Sequence, residues 1–271
     1  MSTLSIRYRS NALNCQTEFY VHLPDKTIPP WFLDNPHYKR PVKVLILLHG
    51  FSGDCTDWLY NAPVADFCLK YNLAVVMPTG GLGFYLDQEA TGKKTATFIG
   101  EELVQYLRDT FNIGHHKEDV IIGGFSMGGF GALHTALAYP NTFSAVLACS
   151  SALIQHQLKT FTPDMPAVMA NYQYYVDTFG DLQKAEESDY NPEVLFLKNK
   201  ENNIKNPIIY MACGLQDFLI NENKAFYEFL TKNEADVKFE VGDGVHHWDF
   251  VVPHAYAGLD YLLDRLQKEE K

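Results

Sequence analysis

Gly124-Phe125-Ser126-Met127-Gly128 stands between a β-branched-rich run, residues 119–125 (DVIIGGF), and an amphipathic stretch, residues 127–139 (MGGFGALHTALAY). A G-x-S-x-G pentapeptide that closes a strand and opens a helix predicts a nucleophile elbow. The serine at such a turn adopts strained dihedrals, and the flanking chains approach so closely that the positions two before and two after it must lack bulk. Gly124 and Gly128 meet that demand. The helix that follows aims unpaired N–H groups and the positive end of its dipole at any oxyanion formed beside Ser126, with the Met127 N–H as first donor. A glycine-rich turn without chemistry is the competing reading; the register of strand and helix around the pentapeptide favours the catalytic one.

Working outward, short apolar runs recur at residues 42–49 (VKVLILLH), 73–79 (LAVVMPT), 144–150 (SAVLACS), 207–213 (PIIYMAC) and 237–241 (VKFEV). Most end in Gly, Ser, Thr or Pro, as buried parallel strands do. Residues 98–111, 221–233 and 253–268 carry apolar side chains at helical spacing with polar ones opposite. The alternation predicts an α/β chain, a mostly parallel central sheet flanked by helices, in a single domain over residues 1–271. Residues 17–23 (TEFYVHL) alternate like an antiparallel edge strand, and the proline-rich residues 24–41 read as a loop. Residues 152–206 are far longer than a strand-to-strand crossover needs and too aromatic for a linker. They are expected to form a helical, cap-like insertion on the carboxyl edge of the sheet, helices that merely cover the core being the alternative.

A serine nucleophile on such a sheet requires an acid and a base on loops after later strands, in the chain order Ser, Asp or Glu, His. Asp217 lies in the loop Gly214-Leu215-Gln216-Asp217-Phe218 that leaves the run 207–213; its competing role is a turn or helix cap. The base is sought in residues 242–250, where His246 and His247 are adjacent and spacing alone does not choose between them. His246, His247 and Asp249 as metal ligands form a weak alternative without a third distant ligand. A second oxyanion donor is expected from the loop after residues 42–48, and the Phe51 N–H is assigned to it. His49 reads as a backbone-bonding residue, His134 as structural and the pair His115-His116 as solvated. Tyr85 and Trp248 are candidate substrate contacts, with core packing the competing role.

Composition excludes much else. The 271 residues are 46% apolar and 20% charged, enough to bury a core, so the chain reads as compact and soluble. A net charge of −11 opposes nucleic acid and anionic membrane surfaces as partners. No apolar run approaches the length of a membrane span, and the N-terminus carries no secretory pattern, so a cytoplasmic location is expected. The five cysteines (Cys15, Cys55, Cys68, Cys149, Cys213) are scattered and suit reduced thiols.

Several segments together resemble the tributyrin-esterase type of the esterase-D-like α/β hydrolases, from about Val42 to Phe250. They are residues 47–53 (LLHGFSG), 76–78 (VMP), 83–85 (GFY), 101–103 (EEL), 124–131 (GFSMGGFG) and 244–250 (GVHHWDF). The resemblance implies an α/β-hydrolase fold and hydrolysis of short-chain acyl esters, acetylated carbohydrates among them, with no cofactor and no metal. It implies that the catalytic histidine lies two before Trp248, which selects His246. Val251 and His247 depart from the pattern, and residues 152–206 are the least family-like. The expectation is a serine carboxylesterase using Ser126, His246 and Asp217, acting on a small-molecule ester. Its rivals are S-formylglutathione or other thioester hydrolysis, and a catalytically silent binding module. A homo-oligomer is compatible with the architecture, though no apolar stripe forces one.

Overall fold

The structure, a computed structural model, describes residues 1–24, 30–32 and 34–269. Among the described residues eight strands form one sheet: β1 (Ser2–Ser10), β2 (Cys15–Leu23), β3 (Lys43–Leu48), β4 (Leu73–Pro78), β5 (Val120–Phe125), β6 (Ala145–Cys149), β7 (Ile208–Gly214) and β8 (Val237–Gly242). Their spatial order is β1-β2-β4-β3-β5-β6-β7-β8, antiparallel at β1/β2 and β2/β4 and parallel elsewhere.

The period-two alternation of the inner strands divides the core in two. Val44, Ile46 and Leu48 of β3, with Ile122, Val146 and Met211, face one layer; Leu45, Leu47, Ile121, Leu147 and Tyr210 face the other. The helices are α1 (Asp57–Asn61), α2 (Val64–Tyr71), α3 (Thr95–Thr97), α4 (Leu103–Phe111), α5 (Met127–Ala138), α6 (Tyr172–Phe179), α7 (Pro192–Glu201), α8 (Ile220–Lys232) and α9 (Trp248–Glu269). A π-helical turn, Phe98–Glu102, joins α3 to α4. Apolar residues of α4 to α8 cover the first face, whereas α1, α2 and α9 supply the second. Both faces of the inner strands are therefore dry, which is why they read as continuous apolar runs. Among the described residues no helix is long and apolar enough to cross a membrane.

Two expectations need correction. The strand expected at residues 17–23 is not an edge: β1 pairs along its whole length and takes the edge position. The half-exposed alternation of β1, Leu4, Ile6 and Tyr8 inward with Ser5, Arg7 and Arg9 outward, was readable. Its anchor was not, because the Glu102 carboxylate accepts bonds from Tyr8 Oη, Ser10 Oγ and the Asn11 and Ala12 N–H groups across 90 to 94 positions of chain. The last helix begins at Trp248 and not at Pro253, which lies inside it. Proline suits the first helical position, but packing of Phe250, Val251 and Ala255 against the sheet holds the earlier turn in place despite one missing N–H.

The loop expected over residues 24–41 falls partly outside the described residues; within them Pro30–Phe32 and Pro36–Lys39 form 3-10 turns. Residues 152–206 contain α6, α7 and two 3-10 turns, Leu158–Thr160 and Ala185–Glu187, linked by irregular chain. Helix α7 packs on α5 and α8. Helix α6 lies over the carboxyl edge, where the Tyr174 ring meets Phe51 at 5.7 Å.

His134 is buried on α5, with Nε2–H donating to Asp189 O at 2.9 Å. Burial depresses its pKa to about 4. The unfolded chain therefore takes up this proton first on acidification. The stability contributed by His134 is complete above about pH 6.5 and drains away toward pH 4, at about 1.4 kcal/mol per pH unit. His134→Gln should flatten the decline of unfolding free energy between those pH values by about one proton. An unchanged slope would remove His134 as its source.

Candidate active site

Ser126 occupies the single residue between β5 and α5, with φ 60° and ψ −118°. The strain is held from both sides: its N–H donates to Cys149 O (3.0 Å), and its carbonyl accepts from the Phe130 (3.1 Å) and Ala152 (2.9 Å) N–H groups. A Cβ on Gly124 would stand 2.2 Å from Gly128 O, and one on Gly128 would stand 2.2 Å from Leu48 O and 2.6 Å from His49 O. Backbone cannot yield as a side chain can. Gly128→Ala should cost about 3 kcal/mol or more. Gly81→Ala, where nothing lies within 4 Å and only a left-handed φ of +66° resists, should cost about 1 kcal/mol. Denaturant midpoints compare the two, and equal losses would refute the steric argument.

The loop after β3 runs beside the serine. A Cβ on Gly50 would lie 3.7 Å from Ser126 Cβ. Gly53 N–H closes a turn onto Gly50 O (3.1 Å), with Ser52 at φ +68°, and leaves the Phe51 N–H outside the turn's own bonding. His49 locks this loop: Nδ1–H donates to Gly50 O (2.8 Å) and Nε2 accepts from Gly80 N–H (2.9 Å). Both ring nitrogens are committed to backbone, and burial lowers the pKa, so His49 is a neutral strut. On the other side of Ser126 the first N–H groups of α5 lack intrahelical acceptors, Met127 among them.

Asp217 follows β7 and His246 follows β8, which brings both to the carboxyl edge of the sheet. His246 Nδ1 donates to Asp217 Oδ2 at 2.8 Å, and Asp217 Oδ1 accepts from Leu219 N–H at 2.9 Å. The Asp217 side chain is fully enclosed. Burial by itself would raise its pKa, but the bonds from His246 and the Leu219 N–H outweigh it and hold the carboxyl below the ordinary carboxylate range. The His246 ring lies between Phe125, the neighbour of Ser126, and Phe218, each with ring centroids 4.6 Å away. Phe125 thus ties the strained serine to the imidazole. His247 turns elsewhere, pairing with the exposed Asp249 at 3.2 Å, so the two adjacent histidines address different carboxylates.

Two expected substrate contacts fare differently. Tyr85 is 0% exposed, lies against Gly80 and Gly131, and donates its hydroxyl to His49 O (3.0 Å). It is a core strut with no face left for a ligand, a role that depends on which loops close over it. Trp248 is partly exposed and packs edge-on against Phe125 (5.1 Å) and Trp58 (4.8 Å) behind the histidine. Sequence reasoning missed Phe218, 67% exposed beside the ring of His246; the only signal was its place next to Asp217.

A strained serine at a strand-to-helix turn, beside a shielded imidazole with its own buried carboxylate, on a mostly parallel sheet covered on both faces, defines a serine esterase on the α/β-hydrolase fold. The chain belongs to the esterase family, whose model, described as "Putative esterase", matches residues 10–257. It is similar to an acetyl esterase of Caldicellulosiruptor saccharolyticus, 37% identical over 257 residues that cover 92% of this chain and 94% of the relative. Among solved structures it is similar in fold to a substrate-bound fluorophosphonate-binding serine hydrolase F of Staphylococcus aureus, with a TM-score of 0.82 at 23% identity, covering 96% and 98% of the two chains. An S-formylglutathione hydrolase of Staphylococcus aureus gives a TM-score of 0.80 at 24% identity with the same coverage.

Proposed function

We propose that the protein is a carboxylesterase of the tributyrin-esterase type, hydrolysing short-chain acyl esters through Ser126, His246 and Asp217. The observation that carries this reading is the 2.8 Å bond from His246 Nδ1 to the enclosed, ionised Asp217 beside the elbow. A proton on Nδ1 leaves the lone pair on Nε2 free to act as base. In this mechanism Ser126 Oγ–H donates to His246 Nε2.

Nε2 takes the hydroxyl proton as Oγ attacks the ester carbonyl, forming the C–O bond and driving the carbonyl electron pair onto oxygen. The N–H groups of Phe51 and Met127 stabilise that oxyanion. Collapse expels the alcohol, which takes the proton back from His246. Water then attacks the acyl-enzyme by the same steps, releasing the acid and restoring Ser126. Asp217 stays ionised throughout and balances the transient imidazolium.

The acetyl esterase relative supports a small acyl group. Tyr174 also lines a cleft of about 750 Å³ with Gln16, Asp54, Gln88, Asn171 and Gln173 among others; its polar lining suits a hydroxylated alcohol such as a carbohydrate, which would meet it away from the reacting carbonyl, since Ser126, Asp217 and His246 are not among its lining residues. Cysteines scattered along the chain and, apart from Cys15, buried fit a reducing, cytoplasmic setting.

Initial rates on p-nitrophenyl acetate, butyrate and octanoate test the acyl range. The acetyl and butyryl esters should exceed octanoate in kcat/KM by at least about tenfold. Equal or rising rates with chain length would refute the short-chain reading. Turnover confined to S-formylglutathione would replace ester by thioester chemistry.

A further inference from the structure

The Ser126–His246–Asp217 reading, on which this inference rests, leaves a mechanical question: what holds the acid's loop to the nucleophile's elbow? The two come from different strands, and β6 separates β5 from β7. On the elbow side, Ser126 O accepts from Ala152 N–H at 2.9 Å, so the chain leaving β6 is bonded directly to the serine. On the acid side, Asp217 Oδ1 accepts from Leu219 N–H, and α8 begins one residue later.

A buried side chain on α8 bridges the two. Asn223 of α8 is 0% exposed. Its Oδ1 accepts from Ser151 N–H at 3.2 Å, and its Nδ2 donates to Ser151 O at 2.9 Å and to Leu219 O at 2.8 Å. The first two bonds clasp the whole peptide face of Ser151, one position from Ala152. The third holds Leu219, whose own N–H holds the Asp217 carboxylate. The hydrogen-bonded path therefore runs from Ser126 through residues 151–152, Asn223 and Leu219 to Asp217 and His246.

The chemistry of the bridge is specific. A carboxamide carries an acceptor and two donors, the set needed to meet one N–H and two carbonyls; a carboxylate would turn a lone pair on both carbonyls, and an aliphatic chain would leave the Ser151 N–H unmet, the Ser151 and Leu219 carbonyls keeping only the Leu153 (2.9 Å) and Asn223 (3.1 Å) backbone N–H groups. Of the neighbouring polar groups, the Ser151 hydroxyl and Gln155 Oε1 are buried without a hydrogen-bond partner among the described residues, while the Ser150 hydroxyl helps to hold the Asp217 carboxylate ionised but does not reach α8. The position itself is apolar by pattern, since Leu219, Asn223, Phe226 and Leu230 share the buried face of the helix. An asparagine in that row forgoes both helix propensity and apolar contact.

We propose that Asn223 is a positioning residue for the reaction, clamping the Asp217 loop to the Ser126 elbow so that the carboxylate presents His246 to the serine. It touches neither substrate nor reacting atoms, so its effect must pass through Asp217, and that makes it separable from a merely structural role.

The test is a double-mutant cycle on p-nitrophenyl acetate with Asn223→Ala, Asp217→Asn and the double variant, rates being expressed per active site titrated to completion with a fluorophosphonate. Asn223→Ala should lower kcat by about 10- to 100-fold with KM within about twofold. In the Asp217→Asn background the same substitution should cost no more than about twofold, because the group it positions is already disabled. Asn223→Ser, whose hydroxyl can still back-bond Leu219 O but cannot span to Ser151, provides a second variant should the alanine protein fail to fold. It should lose kcat as the alanine does. Full wild-type kcat in either folded variant, or an equal loss in both backgrounds, would overturn the proposal. Asp217→Asn with wild-type activity would overturn the triad reading too, whereas a crippled Asp217→Asn beside an unimpaired Asn223→Ala would overturn the clamp alone.

Discussion

Ser126→Ala is expected to lower kcat on p-nitrophenyl acetate by on the order of 10⁵-fold or more, equivalent to about 7 kcal/mol of lost transition-state stabilisation. The loss should be this large because the variant removes the only atom that forms the acyl bond while leaving the oxyanion donors in place. KM should change little, since Ser126 Oγ contributes to bond formation and hardly to ground-state binding. Covalent labelling by a fluorophosphonate should vanish in parallel. The fold should survive: Ser126 is held through its backbone, by Cys149 O and the Phe130 and Ala152 N–H groups, and alanine keeps those bonds at a similar cost in φ. Equal rates for wild type and variant on every ester and thioester would sink the nucleophile assignment.

The second large effect separates two adjacent histidines. His246→Ala should lose kcat to about the extent of Ser126→Ala, because triad members act as a unit. His247→Ala should stay within about twofold, since its ring faces solvent and pairs with a carboxylate that is 95% exposed, an arrangement of little energetic weight. Asp217→Asn should fall between, at about 10⁴-fold, as the amide favours the wrong imidazole tautomer. Asp217 is held ionised below the usual carboxylate range by the bonds from His246 and the Leu219 N–H, so its own protonation should reduce wild-type kcat only at a pH below that range. An inactive His247→Ala beside an active His246→Ala would reverse the assignment.

How far the chain could be read varies with the range of the forces involved. The elbow was legible because its demand is local: five residues contain both the strain and the glycines that permit it. The inner strands were legible because burial on both faces leaves runs such as residues 44–48 almost wholly apolar. Asp217 was a candidate from its place after β7, and the structure sets its carboxylate 2.8 Å from His246 Nδ1. Spacing alone did not choose between His246 and His247, since neighbouring side chains on a loop diverge and the partner that selects one lies 29 positions away. Tyr85 shows the same limit, an aromatic residue near the site whose burial depends on Gly80, Gly131 and His49 meeting around it.

The layered α/β architecture, the serine turn and the placing of an aspartate and two histidines after later strands were legible in the chain alone, because periodicity and backbone sterics act over a few residues. Tertiary structure decided which histidine meets the carboxylate, that Tyr85 is a strut and Phe218 a shield, and that Asn223 spans the seam between two loops. Each of those is a contact between segments far apart in the chain, fixed only when the sheet brings its carboxyl edge together.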